Sequence, residues 1–308
     1  MIRYVARRIV YMFVALFIIV SITFFISKAL PGDPFSDPKL TPRIREQLYE
    51  KYGLDEPLYV QYAKYMANVA QGNLGNSYFY ESRPVSLMIL QRLPISAFIG
   101  IQAVIFGLVI GMVLGIIAAL RHNTLWDTLA VVVAILGVSV PTFVLAPVLQ
   151  YWLGLKLGWF PVAYFESWIY SVLPSLALSV FVVSTVARFM RTEMLEVIGQ
   201  DYITLARSKG LSGLAVILKH VIRNAMIPLV TVMAPLTIYI ITGSLVIEQI
   251  FVVPGVGELF VQSVVVNDYS VILGTTIFFS VLFILALLIQ DLLYGVIDPR
   301  IRVSGAKE

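Results

Sequence analysis

The chain has 308 residues, 59% apolar and 13% charged, with a net charge of +4 and no cysteine, and its mean hydropathy is +0.89. A soluble domain wets its surface with about 25% charged residues, so this composition excludes one, and the missing cysteines exclude disulfides, thiolate metal sites and cysteine catalysis. The slight positive balance gives no reason to expect nucleic acid as a partner; the partner it implies is a lipid bilayer, in which positive residues report orientation.

Six stretches poor in charge, near residues 9–30, 95–120, 128–155, 169–187, 225–247 and 271–290, approach or exceed the roughly 20 residues needed to cross a hydrocarbon core. An open sheet would leave backbone groups unpaired in lipid, and no alternating segments of about ten residues suggest a barrel. The expected fold class is therefore all-α, integral to the membrane, with six transmembrane helices.

In chain order, the first stretch follows Arg3, Arg7 and Arg8 but exceeds a signal-peptide core, lacks an A-x-A site and runs on into Lys28-Ala29-Leu30-Pro31-Gly32. It reads as an uncleaved helix. Residues 31–94 are too long for a bare connection. Thr41-Pro42 can open a helix that Gly53 closes, and Leu58, Tyr62, Tyr65, Met66 and Val69 recur at helical spacing on a second. These predict a small extracytoplasmic cap, with a plain tether as the alternative. In the second stretch Gly107, Gly111 and Gly115 allow close helix contact. Pro141 and Pro147 in the third and Pro235 in the fifth predict bends, either around a pathway or as simple kinks.

A cytoplasmic N-terminus places Arg3, Arg7, Arg8, Arg121, Arg188, Arg191, Arg207, Lys209, Lys219, Arg223, Arg300, Arg302 and Lys307 inside. The short outside loops, 156–168 and 251–270, then carry only Lys156. Both termini are expected in the cytoplasm. Arg188 and Asp291, near inner ends of spans, are placed to snorkel.

Catalytic sets are missing. His122 and His220 lie in separate loops without H-E-x-x-H spacing, there is no G-x-S-x-G elbow, and Gly-Lys never occurs, so there is no P-loop. No metal site or bound cofactor is expected, and no intramembrane Asp/Glu/His series offers a proton relay. A conduit that borrows its energy fits better than an enzyme. Thr237, Ser244 and Glu248 fall at i, i+7 and i+11 on the fifth stretch, where they would either line a path ending at an outer gate or bond neighbouring helices.

The segment 188–224 is the longest inside loop. Residues 201–212 read as a short helix capped by Asp201 and stopped at Gly210; the amphipathic run Leu214–Arg223 then leads into Asn224-Ala225-Met226-Ile227-Pro228 and the fifth span. Such a helix suits a partner's groove, where a push on it would move the attached spans. A solvated interfacial helix is the plainer reading.

Here the sequence resembles the permease subunits of binding-protein-dependent ABC importers, in the oligopeptide/dipeptide/nickel branch, and within it the B-type membrane subunits. Ala206 and Gly210 match the coupling motif of that family. Thr204, Leu205, His220, Ile222 and Arg223 depart from its broad consensus, but the runs Ala206–Leu211 and Lys219–Pro228 have the form of the peptide branch. Three more blocks fit in order: Leu30-Pro31-Gly32-Asp33-Pro34, Ile240–Glu248 followed by Pro254-Gly255-Val256-Gly257 and Asp268-Tyr269-Ser270, and Asp298-Pro299-Arg300-Ile301-Arg302.

The resemblance implies a multi-pass cell-membrane subunit with a type I ABC importer transmembrane domain at 94–295, an N-terminal extra helix in 1–30, a cap in 31–93 and a cytoplasmic tail at 296–308. It implies as partners a second similar permease, two ATPase subunits that bind ATP and magnesium, and an extracytoplasmic solute-binding protein. Asp201, Tyr202, Thr204, Leu205, Ala206, Arg207, Ser208, Lys209 and Gly210 would meet an ATPase. Glu248 and the turn with Pro254, Gly255 and Gly257 would stand at the outer gate. Peptides are the expected cargo, with nickel, glutathione or oligosaccharides as alternatives; a secondary transporter is the competing class, and a membrane hydrolase would need a residue pair that is not found.

Overall fold

The structure is a computed structural model that describes residues 2–29, 31–36 and 40–297. Leu30, the block Asp298–Arg302 and Lys307 lie outside the described residues, as do the side chains of Arg3 and Asp291. The described chain is helical apart from loops, turns and one isolated bridge between Asn76 and Pro84. Five helices are long and apolar enough to cross a membrane: Val10–Ala29, Val85–Leu120, Trp168–Ile198, Gly213–Ile241 and Tyr269–Gln290. Two bent pairs pass the same test, Leu125–Ser139 with Thr142–Lys156 at 106° and Leu245–Phe251 with Val256–Val265 at 85°. The third expected crossing thus falls on a broken pair. Val140 is extended there, and Pro141, which has no N–H to continue the ladder, precedes the next helix.

The chain divides into two compact units, Met1–Pro94 with Pro254–Ile284 and Ile95–Val253 with Leu285–Glu308. In the first, α1 (Ile2–Ala29) is followed by α2 (Pro42–Tyr52) and α3 (Leu58–Ala70). Capping residues set α2 as their chemistry requires. Thr41 is extended and its hydroxyl accepts from the Ile44 N–H at 3.4 Å, Pro42 fills the first turn, and Gly53 takes φ 62°. Aromatic rings tie this unit together: Phe24 of α1 stacks on Tyr65 of α3 at 5.5 Å, and Phe35, in the segment after α1, stacks on Tyr52 of α2 at 5.8 Å. Ser21 and Tyr62 share a 2.7 Å hydrogen bond.

Two sequence blocks, 31–34 and 268–270, meet in this unit. Tyr269 donates to the Gly32 carbonyl at 3.1 Å, and the Lys28 ammonium lies 4.9 Å from the Tyr269 ring. A Cβ on Gly32, whose φ is +130°, would come within 2.7 Å of Asn267 Cγ, so this approach requires glycine. Asp268, fully buried, caps α13 (Tyr269–Ile297) by accepting from the Val271 N–H. Its carboxylate also accepts from the Ser77 hydroxyl and from the N–H groups of Tyr78 and Phe79, both at 3.2 Å. Burial pushes the Tyr78 phenol above the usual tyrosine range, a hydrogen bond with Ser270 opposes this, and the nearby Asp268 carboxylate adds to it. Arg92 and Glu258 pair in the same unit.

The second unit is built around α7 (Val172–Ile198), whose residues from Val172 to Met194 are largely buried. The glycines of α4 (Val85–Leu120) lie directly on it: a Cβ on Gly111 would stand 2.7 Å from Val186 Cβ, and one on Gly115 2.6 Å from Met190 Cβ. On another side, α5 (Leu125–Ser139) turns Asp127, Ala130 and Ala134 inward, residues spaced as one helical face. The pathway continues through α6 (Thr142–Leu149), a π-helical stretch Gln150–Lys156 and a 3₁₀ turn Trp168–Ser171 before α7. After α7 come α8 (Asp201–Ser208) and one continuous helix, Gly213–Ile241. That helix comprises α9 (Gly213–Val216), a π-helical stretch Ile217–Ile222 and α10 (Arg223–Ile241). The amphipathic run and the fifth span, expected as separate pieces, are therefore one rod. Then come α11 (Leu245–Phe251) and, in the first unit, α12 (Val256–Val265).

Candidate functional site

Only two residues, Gly199 and Gln200, separate α7 from α8. Gln200 is extended and takes the capping position, so the expected cap at Asp201 is off by one; Asp201 instead sits in the first turn, where its charge favours the helix N-terminus. Along α8, Ile203 and Ala206 are buried. They join a core with Met190, Met194, Val216, Val221 and Ala225. Asp201, Tyr202, Thr204, Leu205, Arg207, Ser208, Lys209 and Gly210 are all exposed. Leu205 is 56% exposed and Tyr202 43%. The helix thus adheres by two side chains and offers everything else.

Gly210 ends this element as expected. Its φ is +80°, a conformation that side-chain-bearing residues rarely adopt, while nothing lies within 4 Å of where a Cβ would stand. Backbone shape, rather than space, demands glycine. The Gly210 N–H donates to the Arg207 carbonyl at 3.0 Å, and Ser212 then caps α9 by accepting from the Ala215 N–H at 3.3 Å.

The polar face expected from Thr237 to Glu248 is not a helical face. The helix ends at Ile241, Gly243 adopts φ +101°, and Ser244 opens α11 by accepting from the Ile247 N–H. Thr237 therefore lies on a different helix from Glu248. Glu248 is 1% exposed and its carboxylate accepts from the Ser244 N–H at 3.3 Å, closing the turn on itself. A Cβ on Gly243 would fall 2.6 Å from Glu248 Oε1 and 3.2 Å from Ser96 Oγ, so the seat of the buried acid, like the positive φ, calls for glycine at 243. This break was hidden in the sequence because an unbroken apolar run carries no record of the angle at which it bends, whereas the break at Val140–Pro141 falls where the proline predicts a bend. In the other unit, Pro254 is exposed, and Gly255 and Gly257 are buried at the start of α12, with Gly255 extended at its cap.

Sequence reasoning also missed the ion pair of Asp127 with Arg191 and the anchoring role of Asp268. Asp127 stands at the start of an apolar run and Arg191 beyond the end of another, so only their charges could have hinted at a pairing across 64 positions. Asp268 was noticed as part of a motif, without its partners. Among the described residues, no three His, Asp or Glu side chains gather as a metal site would require.

Comparison with known proteins covers almost the whole chain. Residues 111–303 match the family described as the binding-protein-dependent transport system inner membrane component, and residues 1–100 match its N-terminal membrane component. The dipeptide transport system permease protein of Lactococcus lactis subsp. cremoris is 42% identical, over 98% of this chain and all of that protein. An oligopeptide transport system permease protein from Haemophilus influenzae is 39% identical over 98% of this chain and all of its own length. A glutathione transport system permease protein from Escherichia coli O6:H1 is also 39% identical, over 98% of this chain and 99% of its own.

Proposed function

We propose that this chain, which belongs to the family of binding-protein-dependent transport system inner membrane components, forms half of a peptide pathway and takes its driving force through α8. It is a multi-pass inner membrane protein and the non-catalytic membrane component of an ABC importer, which works with ATPase and binding-protein partners. The proposed complex holds a second similar permease, two ATPases that bind ATP and magnesium, and one solute-binding protein on the outside. Both termini lie in the cytoplasm in this reading. Residues 94–295 act as the transport domain, with α1 and the cap added before it and the C-terminal residues as a cytoplasmic tail.

The observation that carries the reading is the short helix α8, attached by Ile203 and Ala206 and open along the rest of its surface. Such a helix fits a groove in a partner, with Tyr202 and Leu205 as apolar anchors and Arg207 and Lys209 as charged ones. Its two-residue link to α7 passes displacement directly into the buried heart of the second unit. Thr237 on α10, and Ser244 with Glu248 on α11, are the residues we assign to the path and its outer end; Pro254, Gly255 and Gly257 are assigned to the adjoining outer turn.

Peptides are the proposed cargo, because relatives named for dipeptide and oligopeptide transport match at 42% and 39% identity across the full length. Glutathione, the cargo named for another relative, is itself a tripeptide. The test is uptake by the complete complex in vesicles, driven by ATP or by an ion gradient. ATP-dependent uptake of a labelled tripeptide, abolished in Gly210→Pro with membrane insertion unchanged, is the expected outcome. Proline locks φ near −65°, and Gly210 sits at +80°. Uptake driven by the ion gradient alone, or unimpaired uptake in Gly210→Pro, would overturn the reading.

A further inference from the structure

Neither the docking helix nor the residues assigned to the path include the ion pair at the start of α5. Asp127 is 5% exposed, and Arg191 grips it with two parallel bonds: Nε to Oδ1 at 2.6 Å and an Nη to Oδ2 at 2.9 Å. The Asn123 N–H also donates to Oδ2 at 3.0 Å. His122 Nδ1 lies 3.0 Å from the same oxygen and 3.2 Å from the Arg191 Nη. A guanidinium fork on a carboxylate fixes direction as well as distance, so α5 cannot slide or turn against α7 at this end without breaking both bonds. Farther along, the two helices meet closely again: a Cβ on Gly137 would lie 2.9 Å from Val180 Cγ1. Two attachments, ten residues apart on α5 and eleven apart on α7, make the helices one body. One end of that body is the link to α8 at Gly199–Gln200, five residues past Met194 and eight past Arg191. The other is the sharp bend between Ser139 and Thr142.

We propose that Arg191 is a positioning residue for energy coupling: by clamping Asp127, it makes α5 travel with α7, so that displacement delivered at α8 reaches the bend at Val140–Pro141. This rests on the docking role given to α8 above. An ion pair that only stabilised the fold would leave the ratio of transport to ATP turnover unchanged when weakened. A clamp in the transmission line must alter that ratio.

The experiment uses the complete complex in vesicles, with ATP turnover and tripeptide uptake measured together. A nitroxide at Val138→Cys, the only cysteine in this chain, reports motion beside the bend. Arg191→Ala and Asp127→Ala are each expected to cut uptake per ATP hydrolysed by about tenfold, within the range of coupling effects, and to remove the ATP-dependent change in the nitroxide spectrum. The charge-swapped pair Asp127→Arg with Arg191→Asp is expected to restore both. If an alanine variant does not assemble, Arg191→Lys, which keeps the charge but loses the fork, is expected to show a smaller drop in the same ratio. An unchanged ratio in the variants that assemble overturns the proposal, as does a charge swap that assembles without restoring the ratio and the spectral change. Gly210→Pro, measured alongside, separates the two claims: if it transports normally, the docking role of α8 fails, whatever the clamp does.

Discussion

Two buried aspartates hold this molecule in contrasting ways. In the first unit, Asp268 is satisfied by neutral groups, one hydroxyl and backbone N–H groups of residues 78, 79 and 271. In the second, Asp127 is satisfied chiefly by a guanidinium from another helix. A carboxylate caught by backbone amides pins the chain itself, because those donors cannot swing away. A carboxylate held by an arginine side chain pins two helices while leaving each helix its own backbone ladder. The first arrangement builds a fixed anchor for a loop, and the second builds a joint that can be made or broken whole.

The contrast is broken most severely by Asp268→Ala. Several buried donors would lose their acceptor at once, each costing about 1–3 kcal/mol. We expect a loss of about 3 kcal/mol or more in thermal unfolding, with faster proteolysis of residues 76–84. Asp268→Asn sharpens the same point, because an amide oxygen retains one acceptor; its loss should be smaller, and proteolysis closer to the parent.

Gly111→Val comes next. The added side chain would meet Val186 Cβ and the Val183 carbonyl, at 2.7 and 2.8 Å from the new Cβ. Overpacking of this kind costs about 1–3 kcal/mol. A thermal shift in detergent should register it, and the proteolysis pattern of the cap should not change. If the cap were equally affected, the overpacking would not be confined to the contact of α4 with α7.

Thr41→Ala is the smallest change. It deletes one capping bond on an exposed helix and should cost about 1 kcal/mol. Serine at the same position should recover most of it, since it carries the same acceptor. A loss as large as that of Asp268→Ala would mean that α2, rather than Asp268, anchors the cap.

The sequence disclosed what is governed by neighbours along the chain. The cap helix between Thr41 and Gly53 was legible because capping depends on residue type at fixed offsets. Likewise, Gly107, Gly111 and Gly115 announced close contact through their spacing, and the structure packs this face of α4 against α7. Gly210 was readable as a stop for the same reason. What stayed hidden depends on partners far away or on geometry that apolar composition does not encode. Asp127 and Arg191 meet only because α5 and α7 pack together. The break after Ile241 turns on Gly243 and a buried Glu248, and a hydropathy profile passes smoothly over both. Docking at α8 was suggested by a short helix in the inside loop between two spans, but only the fold distinguishes its two adhesive residues, Ile203 and Ala206, from the surface left open.

The wide π-helical turn at Ile217–Ile222 has a consequence for how this chain can change length. A π turn is how an α-helix accommodates an inserted residue without unravelling, and each residue in a regular helix turns the chain by about 100°. Such a place behaves like spare thread on a screw: removing an exposed residue there, such as Lys219, can be absorbed by tightening the turn so that Val221 keeps its place in the core, whereas the same deletion near Leu229 or Met233 would rotate buried side chains out of their packing. Variation in length among chains built on this plan should therefore collect at such wide turns, at Gln150–Lys156 and just beyond α8, where a single codon can be lost or gained and the rod Gly213–Ile241 survives as a rod.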